Sequence, residues 1–149
     1  MANRRLLAVA FPISYAVHLT EEAVAGSGFP AWLKTHAGAD LSGPEFLLLN
    51  AVGMTVMLVV AVGVWRNRSP SLGLAAIGTI GLINGSLHLG GSVLTASYSP
   101  GAVSGTLLWM PLGALAIRRA AERRDRSVLG GVALGLAAHA AISLGALRM

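Results

Sequence analysis

Five apolar stretches of membrane-spanning length, separated by short polar segments, are the feature that most restricts how this chain can fold. A helix of about 20 residues spans the roughly 30 Å hydrocarbon core of a bilayer. Hydrophobic residues make up 54% of the chain and charged residues only 11%, unlike a soluble globular protein. The sequence therefore predicts an all-α polytopic membrane protein, one domain of residues 1–149 forming a five-transmembrane-helix bundle. The predicted spans are residues 6–25, 45–64, 71–94, 103–117 and 128–147.

The basic residues are distributed unevenly among the connecting segments. With the N-terminus inside, nine of the eleven Lys and Arg residues fall in inner segments, and only Lys34 and Arg148 fall outside. Cytoplasmic loops of membrane proteins carry such an excess of Lys and Arg. We therefore expect a multi-pass protein of the cell (plasma) membrane, with its N-terminus inside and its C-terminus outside. The inner residues are Arg4, Arg5, Arg66, Arg68, Arg118, Arg119, Arg123, Arg124 and Arg126.

The composition also excludes several partners and sites. The net charge of +5 is confined to short inter-helix segments, without interleaved aromatic residues, so we expect no nucleic acid as a partner. The chain has no cysteine, which excludes disulfides, iron–sulfur clusters and thiolate metal sites. The expected partners are membrane lipid, a lipophilic small-molecule substrate and, in a homo-oligomer, further copies of the chain.

The first apolar stretch contains a stripe of ionisable side chains. His18, Glu21 and Glu22 stand at i, i+3 and i+4, so one helix face carries all three, and Tyr15 extends that face one turn earlier. A charge at the bilayer centre costs roughly 2.5–3.5 kcal/mol. Two glutamates there need a partner, a cation, a shared proton or water. The stripe favours a functional site; the alternative is an interfacial pair of glutamates at the helix end.

Polar residues of three other stretches fall at a similar depth. At about 1.5 Å of rise per residue, His18, Asn84 and His88 lie roughly 20–26 Å above the inner surface, and Asn50 is close to the same level. His139 lies somewhat lower, about 17 Å above the inner surface. It recurs with Gly131, Gly135 and Ser143 at intervals of four residues, which predicts that this face of the helix packs against the bundle. We expect these residues to surround a site in the outer half of the bilayer, with Tyr98 above it. The alternative is that each merely joins two helices by hydrogen bonds.

Three motifs resemble the HXXEE family of small bacterial integral membrane proteins. The first is His18-Leu19-Thr20-Glu21-Glu22, the second is the histidine His88, and the third is the Tyr-X-Pro-Gly motif Tyr98-Ser99-Pro100-Gly101. They occur in the family's order between the first and fourth stretches. The resemblance implies a site in the membrane but no reaction, and it says nothing of the fifth stretch.

Two histidines and two carboxylates match the ligand set of Zn²⁺, or of non-haem iron or manganese. In this hypothesis His18, Glu21 and His88 are metal ligands and Glu22 is the base toward a bound water, so that the enzyme hydrolyses a lipophilic substrate. The pocket residues are Tyr15, Asn50, Asn84, Tyr98 and His139.

Two alternatives remain open. Without a cofactor, the same His and Glu residues could act as acid and base in an isomerase, cyclase or epoxide-opening enzyme on a lipid, isoprenoid or polyketide. A protein of a different class, a small transporter or a structural membrane subunit, would use them for carriage or for packing.

Overall fold

Helices account for almost all of the chain, and the described residues contain no strand. The structure is a computed structural model that describes residues 2–122 and 125–148, with side chains from Arg4 onward. The predicted all-α fold is confirmed. The helices are α1 (Ala2–Val24), α2 (Phe29–Ala37), α3 (Gly43–Trp65), α4 (Pro70–Thr95), α5 (Ala102–Ser104), α6 (Met110–Ala121) and α7 (Ser127–Arg148), with a π-helical turn at Gly105–Trp109 between α5 and α6.

Within the described residues, three helices, α3, α4 and α7, are long and apolar enough to cross a membrane. The other two predicted spans are also helical, but they do not meet these criteria by length and composition. Helix α1 has arginines near one end and glutamates near the other, which lowers its mean hydropathy, and the π-helical turn divides the fourth stretch. Arg123 and Arg124, which contribute to the predicted orientation, lie outside the described residues.

The long helices begin at local sequence signals. The Ser42 hydroxyl accepts a hydrogen bond from the Glu45 N–H, and the Glu45 carboxylate accepts one from the Ser42 N–H at 2.9 Å. This reciprocal pair is a capping box, which satisfies two N–H groups that a helix start leaves without partners. Pro70 occupies the first turn of α4, where its missing N–H is not needed.

The fourth predicted span contains a π-helical turn in addition to the expected effect of Pro111. Because Pro111 has no N–H, it cannot complete the regular hydrogen-bond ladder of an α-helix. The wider turn Gly105–Trp109 lies immediately before this proline, which falls in the first turn of α6. Trp109, at the end of the turn, is buried, so the irregular segment contributes a large side chain to the core.

Helix α4 is the centre of the bundle, and α7 packs closely along it. A Cβ atom at Gly135 would lie 2.5 Å from the Ala76 carbonyl oxygen, so only glycine permits this approach. Gly131 faces Leu72 one turn earlier, which makes the two helices parallel. The predicted packing face of α7 is confirmed, and it carries His139 toward the interior of the bundle.

We predict that Gly135→Ala lowers stability by about 1–3 kcal/mol, because the added methyl group must push α7 away from α4. The matched control is Gly130→Ala, where a Cβ meets nothing within 4 Å. That variant should be neutral or up to about 1 kcal/mol more stable, as alanine is the better helix former. Thermal unfolding in one detergent measures both, and equal melting temperatures would contradict this helix seam.

Candidate metal centre

Three ionisable side chains meet in the interior of the bundle. His18 and Glu22 lie one turn apart on α1, and His88 comes from α4; their exposed fractions are 2%, 5% and 4%. Glu22 Oε1 lies 3.1 Å from His88 Nε2 and 3.5 Å from His18 Nε2. The i, i+4 spacing of His18 and Glu22 directs both side chains to one point, which His88 reaches from the neighbouring helix.

Both imidazole rings are held on their far side by a serine. His18 Nδ1 lies 2.7 Å from Ser104 Oγ, and His88 Nδ1 lies 3.1 Å from Ser99 Oγ. When each Nδ1–H donates to its serine, each Nε2 presents a lone pair toward Glu22. Hydrogen bonds of this kind fix the tautomer and the ring orientation of metal-binding histidines.

Glu21 points away from the histidines. It holds the segment of residues 98–104, here called the loop, which includes α5 and carries these two serines. Its carboxylate accepts hydrogen bonds from the Tyr98 hydroxyl at 2.5 Å and from the N–H groups of Gly101, Val103 and Ser104 at 2.7–3.1 Å. Partial burial of Tyr98, with its hydrogen bond to Glu21, raises the pKa of Tyr98 to about 12, so the hydroxyl remains a donor at neutral pH. The two adjacent glutamates therefore have different partners.

The same loop closes tightly over the histidines at Gly101. The residue has φ +102°, and a Cβ there would lie 2.8 Å from Cε1 of both His18 and His88. The His18 ring also stacks on Trp109, with the ring centroids 4.5 Å apart. The two imidazoles are thus fixed by packing as well as by hydrogen bonds.

The geometry of His18, Glu22 and His88 fits a metal ion. Two ligands of a tetrahedral ion with bonds of about 2.0–2.1 Å lie about 3.3 Å apart, close to the observed 3.1 and 3.5 Å. One ligand atom from each residue lies within 4.8 Å of the other two. His18 Nε2 is buried and has no hydrogen-bond partner among the described residues, which leaves it available as a ligand. This buried group can in principle hold a metal.

The three residues line one end of a cavity of about 420 Å³ between α1, α3, α4 and α7. Four of the five residues expected in the pocket line it as well: Tyr15, Asn50, Asn84 and His139. The Tyr15 hydroxyl donates to Asn50 Oδ1 at 2.8 Å, which joins α1 to α3. Polar side chains from four helices, α1, α3, α4 and α7, thus line one cavity.

Two predicted residues lie elsewhere. Glu21 was expected to be a ligand beside His18 and His88, but Glu22 occupies that place, because α4 brings His88 to the side of α1 that carries Glu22. Tyr98 was expected in the pocket, but it does not line the cavity; its hydroxyl binds Glu21 instead, and 45% of the residue is exposed.

Three residues of the site were not predicted: Ser99, Ser104 and Trp109. Ser99 lies inside the Tyr-Ser-Pro-Gly motif, so its position was a usable signal. Ser104 and Trp109 follow that motif in an apolar stretch, and only the loop that Glu21 binds brings them next to His18.

One comparison with known proteins matches the region of the chain that contains the site. A family model described as "Protein of unknown function with HXXEE motif" matches residues 9–116. The match includes His18, Glu22, His88 and the loop, and it ends before α7 and His139. No curated protein matches the chain. No solved structure matches it either.

We predict that Gly101→Ala destabilises the protein more than Gly38→Ala. Both glycines have positive φ, +102° and +70°, so alanine costs about 1–2 kcal/mol of backbone strain at either position. A Cβ at Gly38 meets nothing within 4 Å, whereas at Gly101 it collides with both histidines, which adds about 1–3 kcal/mol. Thermal unfolding gives the difference, and equal effects would show that the loop does not press on the rings.

Proposed function

Since the chain belongs to the HXXEE-motif family, for which no function is given, we propose a function from the geometry of the site. The protein is an integral membrane enzyme in which His18, Glu22 and His88 hold a divalent metal ion, and it hydrolyses a lipophilic substrate. Zn²⁺ suits this ligand set, as does non-haem iron or manganese. The observation that carries the proposal is the convergence of three buried ligand atoms at distances that suit one ion.

The proposed protein crosses the membrane five times, with its N-terminus inside. Helix α1 has 23 residues and so is about 34 Å long, enough to cross a bilayer. Its ionisable groups His18 and Glu22 are buried in the bundle, so a crossing would not place them against lipid. The apolar side chains exposed on the other helices, such as Val59 of α3 and Leu134 of α7, support a lipid-facing surface.

In this proposal the residues have distinct tasks. A divalent ion held by His18, Glu22 and His88 would supply Lewis acidity toward a substrate carbonyl and toward water. Glu22 is a metal ligand in this proposal, so the base that takes a proton from water must be another group. Among the described residues that line the cavity, His139 is a basic side chain outside the ligand set; its Nδ1 pairs with Ser143 Oγ at 3.1 Å. We assign His139 as the base that accepts the proton lost by the attacking water.

A metal-free acid–base enzyme is the second candidate, and one distance favours it. His88 Nε2 lies 3.1 Å from Glu22 Oε1, which is already hydrogen-bond distance. The pair could pass a proton to and from an isomerising substrate without an ion. It does not account for the buried His18 Nε2, which the part of the chain that the structure describes leaves without a hydrogen-bond partner.

We predict about one divalent ion per chain after purification in mild detergent without chelator. His88→Ala and Glu22→Gln should each lose it, because removing one of three protein ligands leaves too few donors. The matched controls are His36→Ala and Glu45→Gln, which change the same residue types on α2 and α3 away from the site and should keep the ion. Elemental analysis decides the point. A folded wild-type protein without stoichiometric metal would contradict the metal-dependent enzyme.

We predict that His139→Ala keeps the metal but slows hydrolysis of a lipophilic chromogenic ester, p-nitrophenyl decanoate, by about 10²–10⁴-fold, the range for loss of a general base. The rate of His88→Ala sets the background. Wild-type hydrolysis no faster than that background would contradict the hydrolytic assignment. An unchanged rate in His139→Ala would contradict the role given to His139.

A further inference from the structure

The cavity is elongated along α4, with different chemistry at its two ends. His88 lines the upper end and Ile77 the lower end, eleven residues apart, which corresponds to about 16 Å. The upper half contains the candidate metal centre and the polar groups of Tyr15, Asn50 and Asn84. The lower half is lined mostly by apolar side chains: Val56, Met57, Ile77 and Ile80. One polar side chain, His139, also lies at this level, because the parallel packing of Gly135 on Ala76 places His139 beside Ile80.

The upper end is covered by α2 and the segment that follows it. Phe29 lies over His88, with ring centroids 4.9 Å apart, and the Trp32 indole N–H donates to Ser97 Oγ at 2.9 Å. A compact apolar cluster continues this cover across the tops of α3 and α7; we call it the roof cluster, and it consists of Leu33, Ala39, Leu41 and Phe46, with Leu49 and Ala146 packed against it. A ligand therefore does not enter from above.

The cavity opens sideways, between α3 and α7. These helices approach each other at Leu49 and Gly145, beside the roof cluster, and share few contacts overall. Val52 and Val56 of α3 line the cavity, yet 50% of Val52 and 45% of Val56 is exposed on the outside. Ile142 of α7 also lines the cavity, and 37% of it is exposed. Side chains that line a cavity and also reach the outer surface mark the edges of its opening.

We propose that this cavity binds one single-chain amphiphile taken from the membrane through the opening between α3 and α7. Its polar group lies at His18, Glu22 and His88, and its chain runs down past Ile80 to Ile77. The volume of about 420 Å³ is near the lower end of ligand pockets, about 300–1,000 Å³, which fits one hydrocarbon chain better than two. The orientation matches a lipid of the outer leaflet, with its head toward the surface; this part rests on the proposed function and topology.

The test uses fluorescence quenching of Trp109, which lines the cavity. Trp32 and Trp65 are replaced by Phe, so that Trp109 is the remaining tryptophan. The probe is hexadecanol brominated at mid-chain, added to the protein in nanodiscs, and phosphatidylcholine brominated at the same depth is the two-chain comparison. Bromine quenches only at short range. We expect saturable quenching by the single-chain probe and little by the two-chain lipid.

Two neighbouring alanines of α7 give a matched pair of variants. Ala138 lines the cavity, whereas Ala137 is exposed and does not. Ala138→Phe should weaken probe binding at least 10-fold, and Ala137→Phe should leave it unchanged. Equal quenching by the two-chain lipid, or equal binding by the two variants, would overturn the proposal.

A metal-free variant separates this inference from the proposed function. The probe has no carboxylate, so its chain should still bind to His88→Ala. Probe binding in a wild-type protein that holds no metal would support the inference and contradict the metal-dependent enzyme. Stoichiometric metal without saturable probe binding would overturn the inference and leave the metal centre in place.

Discussion

The burial of the Glu22 carboxylate between two imidazoles is the constraint on which the rest of the site depends. An ionised carboxylate inside an apolar bundle is unfavourable unless it is paired or bound to a cation. Glu22 is 5% exposed and has two histidine nitrogens within 3.5 Å. One of these nitrogens, on His18, lacks a hydrogen-bond partner within residues 2–122 and 125–148. A cation placed among the three groups would satisfy the carboxylate and that nitrogen together.

The two glutamates of the motif divide two tasks that depend on each other. Glu22 faces the histidines, whereas Glu21 accepts four hydrogen bonds from the loop that follows α4. That loop supplies Ser99 and Ser104, which hold the outer nitrogens of the same histidines. Gly101 presses against both rings because its positive φ and missing side chain let the backbone approach. The HXXEE and Tyr-X-Pro-Gly motifs therefore form one structural unit, although their first residues, His18 and Tyr98, are 80 positions apart in the sequence.

Much of this arrangement could be predicted from sequence, and the exceptions have physical causes. Helical spacing and depth brought His18, His88, Asn50 and His139 to one region, because the rise of a helix is fixed. Spacing could not decide between Glu21 and Glu22, since i+3 and i+4 share a face and only the position of the partner helix distinguishes them. Nor could it show that Tyr98 and Ser104 meet Glu21, since the path of a loop depends on contacts between segments distant in sequence.

The most direct test of the proposed metal centre is X-ray absorption spectroscopy of the purified protein at the edge of its bound metal. We predict two imidazole nitrogens and one carboxylate oxygen at about 2.0–2.1 Å if the ion is zinc, with the outer-shell scattering typical of imidazole. The scattering of one imidazole should disappear in His88→Ala when that variant is loaded with excess metal. A shell of oxygen atoms alone, or a spectrum that His88→Ala leaves unchanged, would contradict the assignment of His18, Glu22 and His88 as ligands.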